Sequence, residues 1–321
     1  MSPSIYLGFL LLTLVLVALD IYQTRGGQIT IRKAAIWSGF WFVLAFVFAA
    51  TIYLFWHVYA PDSDYSAEKA MVSFLTGYLL EKSLSVDNLF VFAIIFHQYS
   101  VPQHLRPRAL LWGVIGALVL RAIMISVGAQ LLAQFHWVMY LFAAFLIWTG
   151  IQLARDHGDH GDHGDDEINP LPERLIRKLL PVTDSYHGNS LSIVENGKRV
   201  FTPMLVVIGV IAFMDILFAL DSIPAIFAVT REPFLVFAAN VFALLGLRSL
   251  YFVLEGMMNR FVYLKPALSF IMIFIGIKMA LVGSPWEIPT WFSLCVILFT
   301  MTAASIASLY KEKQQLKLVN K

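Results

Sequence analysis

Apolar residues in this chain do not alternate with polar ones at the period of a half-buried strand, nor in the stripe of a surface helix. They run in long blocks, and the polar, Gly and Pro positions collect between the blocks. A bilayer core takes roughly 20 residues of apolar helix. By that measure the blocks predict nine spans, near 4–22, 35–59, 71–96, 109–133, 136–154, 202–230, 235–258, 264–283 and 288–310. The turn between the fourth and fifth, around Gln134 to His136, is the shortest of the connections.

Composition agrees with that reading. With 59% hydrophobic and 14% charged residues and a mean hydropathy of +0.74, a soluble domain with one buried core is excluded. The fold class expected is an all-α polytopic membrane protein of about nine transmembrane helices. No Lys or Arg precedes the first apolar run and no small-residue cleavage pattern comes after it, so that run is read as a retained span. Cys295 is the single cysteine, which leaves no intramolecular disulfide and no cysteine-rich metal cluster.

Basic residues fall in alternate connections: Arg25 to Lys33, Arg106 and Arg108, the stretch from Arg155 to Arg199, Arg260 and Lys265, and the tail from Lys311 to Lys321. The other connections carry only Lys69 and Arg231. The positive-inside rule then places the N-terminus outside and the C-terminus in the cytoplasm.

Acidic residues inside the spans are more informative than the net charge of +2. Glu81 and Asp87 lie within LTGYLLEKSLSVDNLFVFAIIF, and Asp215 and Asp221 within LVVIGVIAFMDILFALDSIPAIFAVT. In each motif an acid precedes, by six positions, an Asp that has a small polar residue after it, Asn88 or Ser222. The next two spans after each motif are also alike: one with a buried Arg (Arg121, Arg248), then one with a Gly-Ile pair (Gly150, Gly276). This is read as a duplicated three-helix unit whose copies have opposite orientation, an inverted repeat. The chain divides accordingly into two N-terminal helices (1–70), a first repeat (71–154), a cytoplasmic loop (155–201), a second repeat (202–283), and a last helix with a basic tail (284–321).

Ionisable groups at membrane depth are costly and usually line a pathway or hold a partner charge. On a regular helix Glu81, Ser85 and Asn88 form one polar stripe, with Asp87 to its side; Asp215 and Ser222 share a stripe, with Asp221 to its side. One motif alone therefore does not grip one ion unless its helix is interrupted, and Pro224 is the expected interruption in the second copy. The simpler geometry takes ligands from both repeats. Carboxylate, amide and hydroxyl oxygens suit Mg, Ca or Mn, and Met214 is read either as packing or as one soft contact that would tilt the choice toward Mn. Lys82, Arg121, Arg248 and Lys278 are also expected at membrane depth, either as structural counter-charges or as groups that release the acids in one state. Asp20 and Glu255 are expected only to reach the membrane interface.

Between the fifth and sixth spans, RDHGDHGDHGDDE places His157, His160 and His163 among Asp and Gly. The tract is read as a solvated linker or a loose metal collector. Beyond it a short amphipathic helix with Leu175, Leu179 and Leu180 on one side is expected, then a turn at Asn196-Gly197. No nucleotide-binding loop, nucleophile arrangement or dinucleotide fingerprint is present in the sequence, so the chain is not read as an enzyme. No resident cofactor and no nucleic-acid partner are expected.

EKSLSVDNLFVF at 81–92 together with DSIPAIFAVT at 221–230 resembles the signature pair of the TerC/Alx family of integral membrane proteins, over nearly the whole chain. Members are associated with manganese export, tellurium resistance and the response to alkaline pH. The resemblance implies that Glu81, Asp87, Asn88, Asp215, Asp221 and Ser222 occupy the family's acidic motif positions. It implies a bacterial inner-membrane secondary transporter exporting Mn²⁺ against protons, embedded in lipid, with a homo-oligomer compatible with the sequence. Ca²⁺ or another divalent cargo, an indirect role in tellurium tolerance, and a scaffold that assembles or metallates other proteins stand as alternatives.

Overall fold

The computed structural model describes residues 3–23, 30–135, 137–155, 171–183, 185–188, 190–195, 198–255, 263–282, 284–286 and 288–319. The long apolar blocks are helices: α1 (Pro3–Gln23), α2 (Ile31–Tyr59), α3 (Ala67–Gln98), α4 (Arg106–Gln134) and α5 (Val138–Arg155). A short helix α6 (Leu171–Leu179) and a hairpin of β1 (Ser192–Glu195) and β2 (Lys198–Phe201) come next, then α7 (Pro203–Phe227), α8 (Pro233–Leu244), α9 (Leu247–Glu255), α10 (Leu264–Ala280) and α11 (Thr290–Val319). Pro opens α4, α7 and α8, where its missing N–H costs no hydrogen bond. Thr30 caps α2 by accepting from the Lys33 N–H. Among the described residues, six helical stretches, one of them running from α8 into α9, are long and apolar enough to cross a membrane, and two shorter apolar helices lie within α5 and α10. The chain is an all-α polytopic membrane protein apart from its small hairpin.

Burial separates periphery from centre. The apolar windows of α1 and α11 are each 22% buried, whereas that spanning α8 and α9 is 78% buried. The exposed side chains of the outer helices, such as Val15, Val43, Leu54 and Phe299, are hydrophobic, the inverse of a soluble surface. In lipid this arrangement costs nothing, provided that the backbone bonds to itself.

Packing has a swapped pattern. α3 packs on α8, α4 on α7, and α5 most extensively on α10. The last pair is reciprocal in detail. A Cβ on Gly150 would come 3.1 Å from the Ile273 nitrogen and the Ser269 carbonyl, and one on Gly276 would come 3.1 Å from the Ile147 nitrogen and 3.0 Å from the Ala143 carbonyl. Each glycine thus admits the same two positions of the opposite helix, the small-residue route to close backbone approach in membranes.

The expected seventh span is two helices. The chain breaks at Leu245-Gly246, where Gly246 has φ +73° and the buried Trp41 ring occupies the space a Cβ would need. The break frees carbonyls at the C-terminus of α8, and the Lys82 ammonium donates to two of them, Ala243 O at 3.0 Å and Leu245 O at 3.1 Å. Pro224, by contrast, does not interrupt α7: the helix continues to Phe227, because the proline falls in its last turn and little helix remains to be disturbed. The apolar face expected for α6 is also corrected. Leu179 is exposed, Leu180 is half-buried, the Leu175 side chain lies outside the described residues, and Ile176 packs against Gly209 of α7. The turn at Asn196-Gly197 falls outside the described residues, between two antiparallel strands that no sequence pattern announced.

Candidate functional site

α3 and α7 bring their motifs to the interior because both helices are covered on several sides, α3 by α2, α7, α8 and α11. Glu81, Ser85 and Asn88 on α3 are all buried, as are Asp215 and Ser222 on α7. Glu81 and Asp215 come together on one side chain, Arg121 of α4. Arg121 pairs with Glu81 and donates to Asp215 through Nη2 at 3.2 Å and Nε at 3.4 Å. Its Nη1 also donates to Asn240 Oδ1 at 2.9 Å, and Asn240 is held in turn by its Nδ2 donating to Val236 O at 3.0 Å. Arg121 is 1% exposed. The side chains of Asp87 and Asp221, and the tract with His157, His160 and His163, lie outside the described residues.

Oxygen atoms without partners lie on the same two helices, α3 and α7. Among the described residues, Glu81 Oε2, Tyr78 Oη, Ser85 Oγ and Ser222 Oγ are buried without a hydrogen-bond partner. Buried polar atoms are nearly always bonded, and unpaired ones point to strain, water or an ion. Tyr78, Glu81 and Ser85 share one face of α3 at helical spacing. Two carboxyl groups also share one guanidinium, so the triad sets two acids against one base. The donor set is all oxygen and hard, the type that accepts Mg, Ca or Mn. Met214, only partly buried, packs with the apolar side chains around α4 and α9.

The other cations of the spans do not join this triad. Among the described side chains, Arg248 pairs with Asp20 of α1 at 3.3 Å. Gln23 supports Asp20, its Nε2 donating to Oδ1 at 2.5 Å and to Ser249 Oγ at 3.3 Å. Asp20, expected at the interface, is therefore a buried partner of a buried cation, and Lys82 serves the helix break. Lys278 is buried beside a cavity of about 870 Å³, which Lys69, Thr230, Arg231 and Trp291 also line. Three connections contribute to that cavity, those before α3, α8 and α11, together with Met139 and Tyr140 in the first turn of α5, so these share one end of the bundle. Val72 reaches it from α3. Nine residues separate Val72 from Glu81, about 14 Å along a helix, so the cavity overlies the triad without containing it. At the other end the loop before α7 is docked: the Tyr99 hydroxyl donates to Glu173 at 2.8 Å, and Tyr186 donates to the Tyr99 carbonyl at 2.8 Å.

Tyr78, Asn240 and Asp20 were not singled out as site residues from sequence. Asn240 was legible in principle, as the one amide in the apolar run PFLVFAANVFAL.

Comparison with known proteins agrees with this architecture. The model of the integral membrane protein TerC family matches residues 66–316. An uncharacterized membrane protein of Myxococcus xanthus, STKORF319, is 42% identical over 314 residues, 97% of this chain and 94% of its own. Alx of Escherichia coli (strain K12), whose name proposes a membrane-bound redox modulator, is 42% identical over 302 residues, 92% of this chain and 91% of its own. The tellurium resistance protein TerC of Serratia marcescens is 34% identical over 328 residues, 94% of this chain and 92% of its own. No solved structure matches. A buried acidic pair held inside a polytopic helical bundle and a family match over most of the sequence lead to one conclusion: the chain belongs to the TerC family of integral membrane proteins.

Proposed function

We propose that the protein is a secondary transporter that exports Mn²⁺ from the cytoplasm in exchange for protons, through a site near the bilayer midplane. The observation that carries this reading is that one acid from each motif, Glu81 and Asp215, meets on the single buried guanidinium of Arg121. The triad sets two acids against one base, and oxygen atoms without partners lie on the same face of α3. A divalent cation would satisfy both if Arg121 withdrew, and protons would satisfy them on the return. Glu81, Asp87, Asp215 and Asp221 serve as ligands or proton carriers in this scheme, with Asn88 and Ser222 completing the coordination. The swapped helix packing and the reciprocal Gly150 and Gly276 contacts support an inverted repeat, the arrangement by which many carriers alternate access. The positive-inside distribution supports a multi-pass inner-membrane protein with its N-terminus outside and its C-terminus cytoplasmic.

A scaffold reading is favoured by a specific observation of its own: Arg121 already neutralises part of the acidic charge, as a structural bridge would. Mn²⁺ efflux from cells or proteoliposomes carrying the parent protein and Asp87→Asn with Asp221→Asn separates the two. Flux that requires both carboxylates and varies with external pH is the carrier's outcome. Equal flux with equal protein abundance assigns these acids to structure.

A further inference from the structure

The two motif arginines occupy matching places in the sequence, yet the structure treats them differently. Arg121 of α4 is fully engaged, with Glu81, Asp215 and Asn240 around it. Arg248 of α9, 3% exposed, holds a single carboxylate, that of Asp20, and its Nε has no hydrogen-bond acceptor among the described residues. The swapped packing makes Glu81 the counterpart of Asp215: Arg121 reaches across to Asp215 through the α4 and α7 contact, and Arg248 would reach across to Glu81 through α9 and α3, which also touch. Lys82, the neighbour of Glu81, bonds to Leu245 O, and Arg248 lies three residues beyond Leu245, across the break between α8 and α9. What keeps Arg248 from that exchange here is α1, which lies outside the matching three-helix units and supplies both Asp20 and its supporting Gln23.

We propose that Asp20 is a positioning residue that parks Arg248 on α1 and thereby holds the transporter in the state described here, with Glu81 on Arg121 and the cavity around Thr230 present. In the alternate cargo-free state Arg248 leaves Asp20 and takes Glu81, Arg121 keeps Asp215, and that cavity closes; cargo binding is a separate state in which the arginines have withdrawn from both acids. A buried arginine cannot be left without an anion, so the exchange is between two discrete pairings. The third helix pair, α5 and α10, stays joined through its glycines while the partners change. This inference rests on the carrier reading of the same acids, and it adds a residue from outside both repeats.

The test uses the full-length protein in proteoliposomes, with Cys295→Ser and a reporter, Thr230→Cys, in the cavity wall. Thr230 is 3% exposed, so alkylation by a small maleimide reads access through the cavity. Asp20→Asn frees Arg248 and should slow labelling by at least about tenfold, a shift in population between the two states. Asp20→Glu should restore the parent rate, which a merely structural loss would not predict. Asp20→Asn with Arg248→Gln should also label at the parent rate, since no arginine is then available to take Glu81. Where Asp20→Asn does not accumulate, Gln23→Leu weakens the same parking and should slow labelling about threefold. Labelling within twofold of the parent in folded Asp20→Asn or Gln23→Leu protein overturns the proposal. Mn²⁺ flux measured on the same vesicles keeps the two readings apart. Slowed labelling without any Mn²⁺ flux in the parent removes the cargo and leaves the switch standing, and intact flux with unchanged labelling removes the switch alone.

Discussion

Replacing Arg121 with glutamine tests how the candidate site is held. The guanidinium touches Glu81, meets Asp215 at 3.2 and 3.4 Å and donates to Asn240 at 2.9 Å, all out of reach of solvent. Removing one partner of a buried ion pair costs roughly 3–5 kcal/mol, since the surviving charge is left in a medium of low polarity. Here two carboxylates lose the cation between them, which places Arg121→Gln at the upper end, about 5 kcal/mol. The same principle predicts a rescue: when the whole charged group is exchanged for well-packed hydrophobic residues of similar volume, the result is often neutral. Glu81→Leu, Arg121→Met and Asp215→Leu together should therefore regain at least about 2 kcal/mol of that loss, through removal of the desolvated charges. The assay is reversible unfolding in mixed micelles with increasing SDS, monitored by tryptophan fluorescence. A triple variant no more stable than Arg121→Gln would refute the reasoning, and so would a single variant with parent stability. Either result would mean that the acids are not held ionised by Arg121.

Three further outcomes are expected. Gly150→Ala and Gly276→Ala should each destabilise the protein by about 1–3 kcal/mol through overpacking, and by similar amounts because their contacts are reciprocal; the same SDS titration reads both. Gly246→Ala should cost at least about 2 kcal/mol, the sum of a left-handed backbone position and a collision with Trp41, and it should lower the yield of folded protein in size-exclusion chromatography. At high pH the loop before α7 should detach from the end of α3. Burial raises the Tyr186 hydroxyl to about 12, and burial, then its bond to Glu173, raises that of Tyr99. Both tyrosines hold their protons more tightly when folded, so their stabilisation is complete below the ordinary tyrosine pKa of about 10 and declines as pH rises through the folded values. Phenolate absorbance should rise only above about pH 10, together with faster proteolysis of the loop, and Tyr99→Phe should loosen the loop at neutral pH. Proteolysis indifferent to pH up to 12 would count against the docking role of these hydroxyls.

The helices were legible because a bilayer imposes a length on apolar runs that composition alone reveals. The predicted seventh span shows the limit. Its break at Gly246 depends on Trp41 and Lys82, which lie in other helices, and neither is a local signal for a helix end. α6 shows a second limit: amphipathic spacing marks a helix, but the face that packs is chosen by what it meets, and Gly209 admits Ile176. The strands of the hairpin were too short, at four residues each, to show an alternating pattern. In the candidate site the carboxylates could be read, since charge inside an apolar run demands explanation. Asn240 stood out as a lone amide in an apolar run, but its role, like that of the Tyr78 hydroxyl, shows only when its surroundings across the helix interface are known. Asp20 was misjudged for the same reason. Its sequence position placed it near the end of a span, and only the approach of Arg248 shows that the position is interior.

The lysine that closes the break between α8 and α9 has a consequence for how the bundle tolerates its surroundings. Where a membrane helix is interrupted and its exposed carbonyls are satisfied by a bound sodium or potassium ion, the junction tightens and loosens with the ionic composition of the medium. In this chain the cation is attached to α3 by its own side chain and arrives at Ala243 O and Leu245 O as part of folding. The junction therefore keeps its shape in potassium-rich, sodium-rich or ion-poor media alike. Its local concentration of positive charge is set by a covalent tether, so bulk alkali ions have no vacancy to fill.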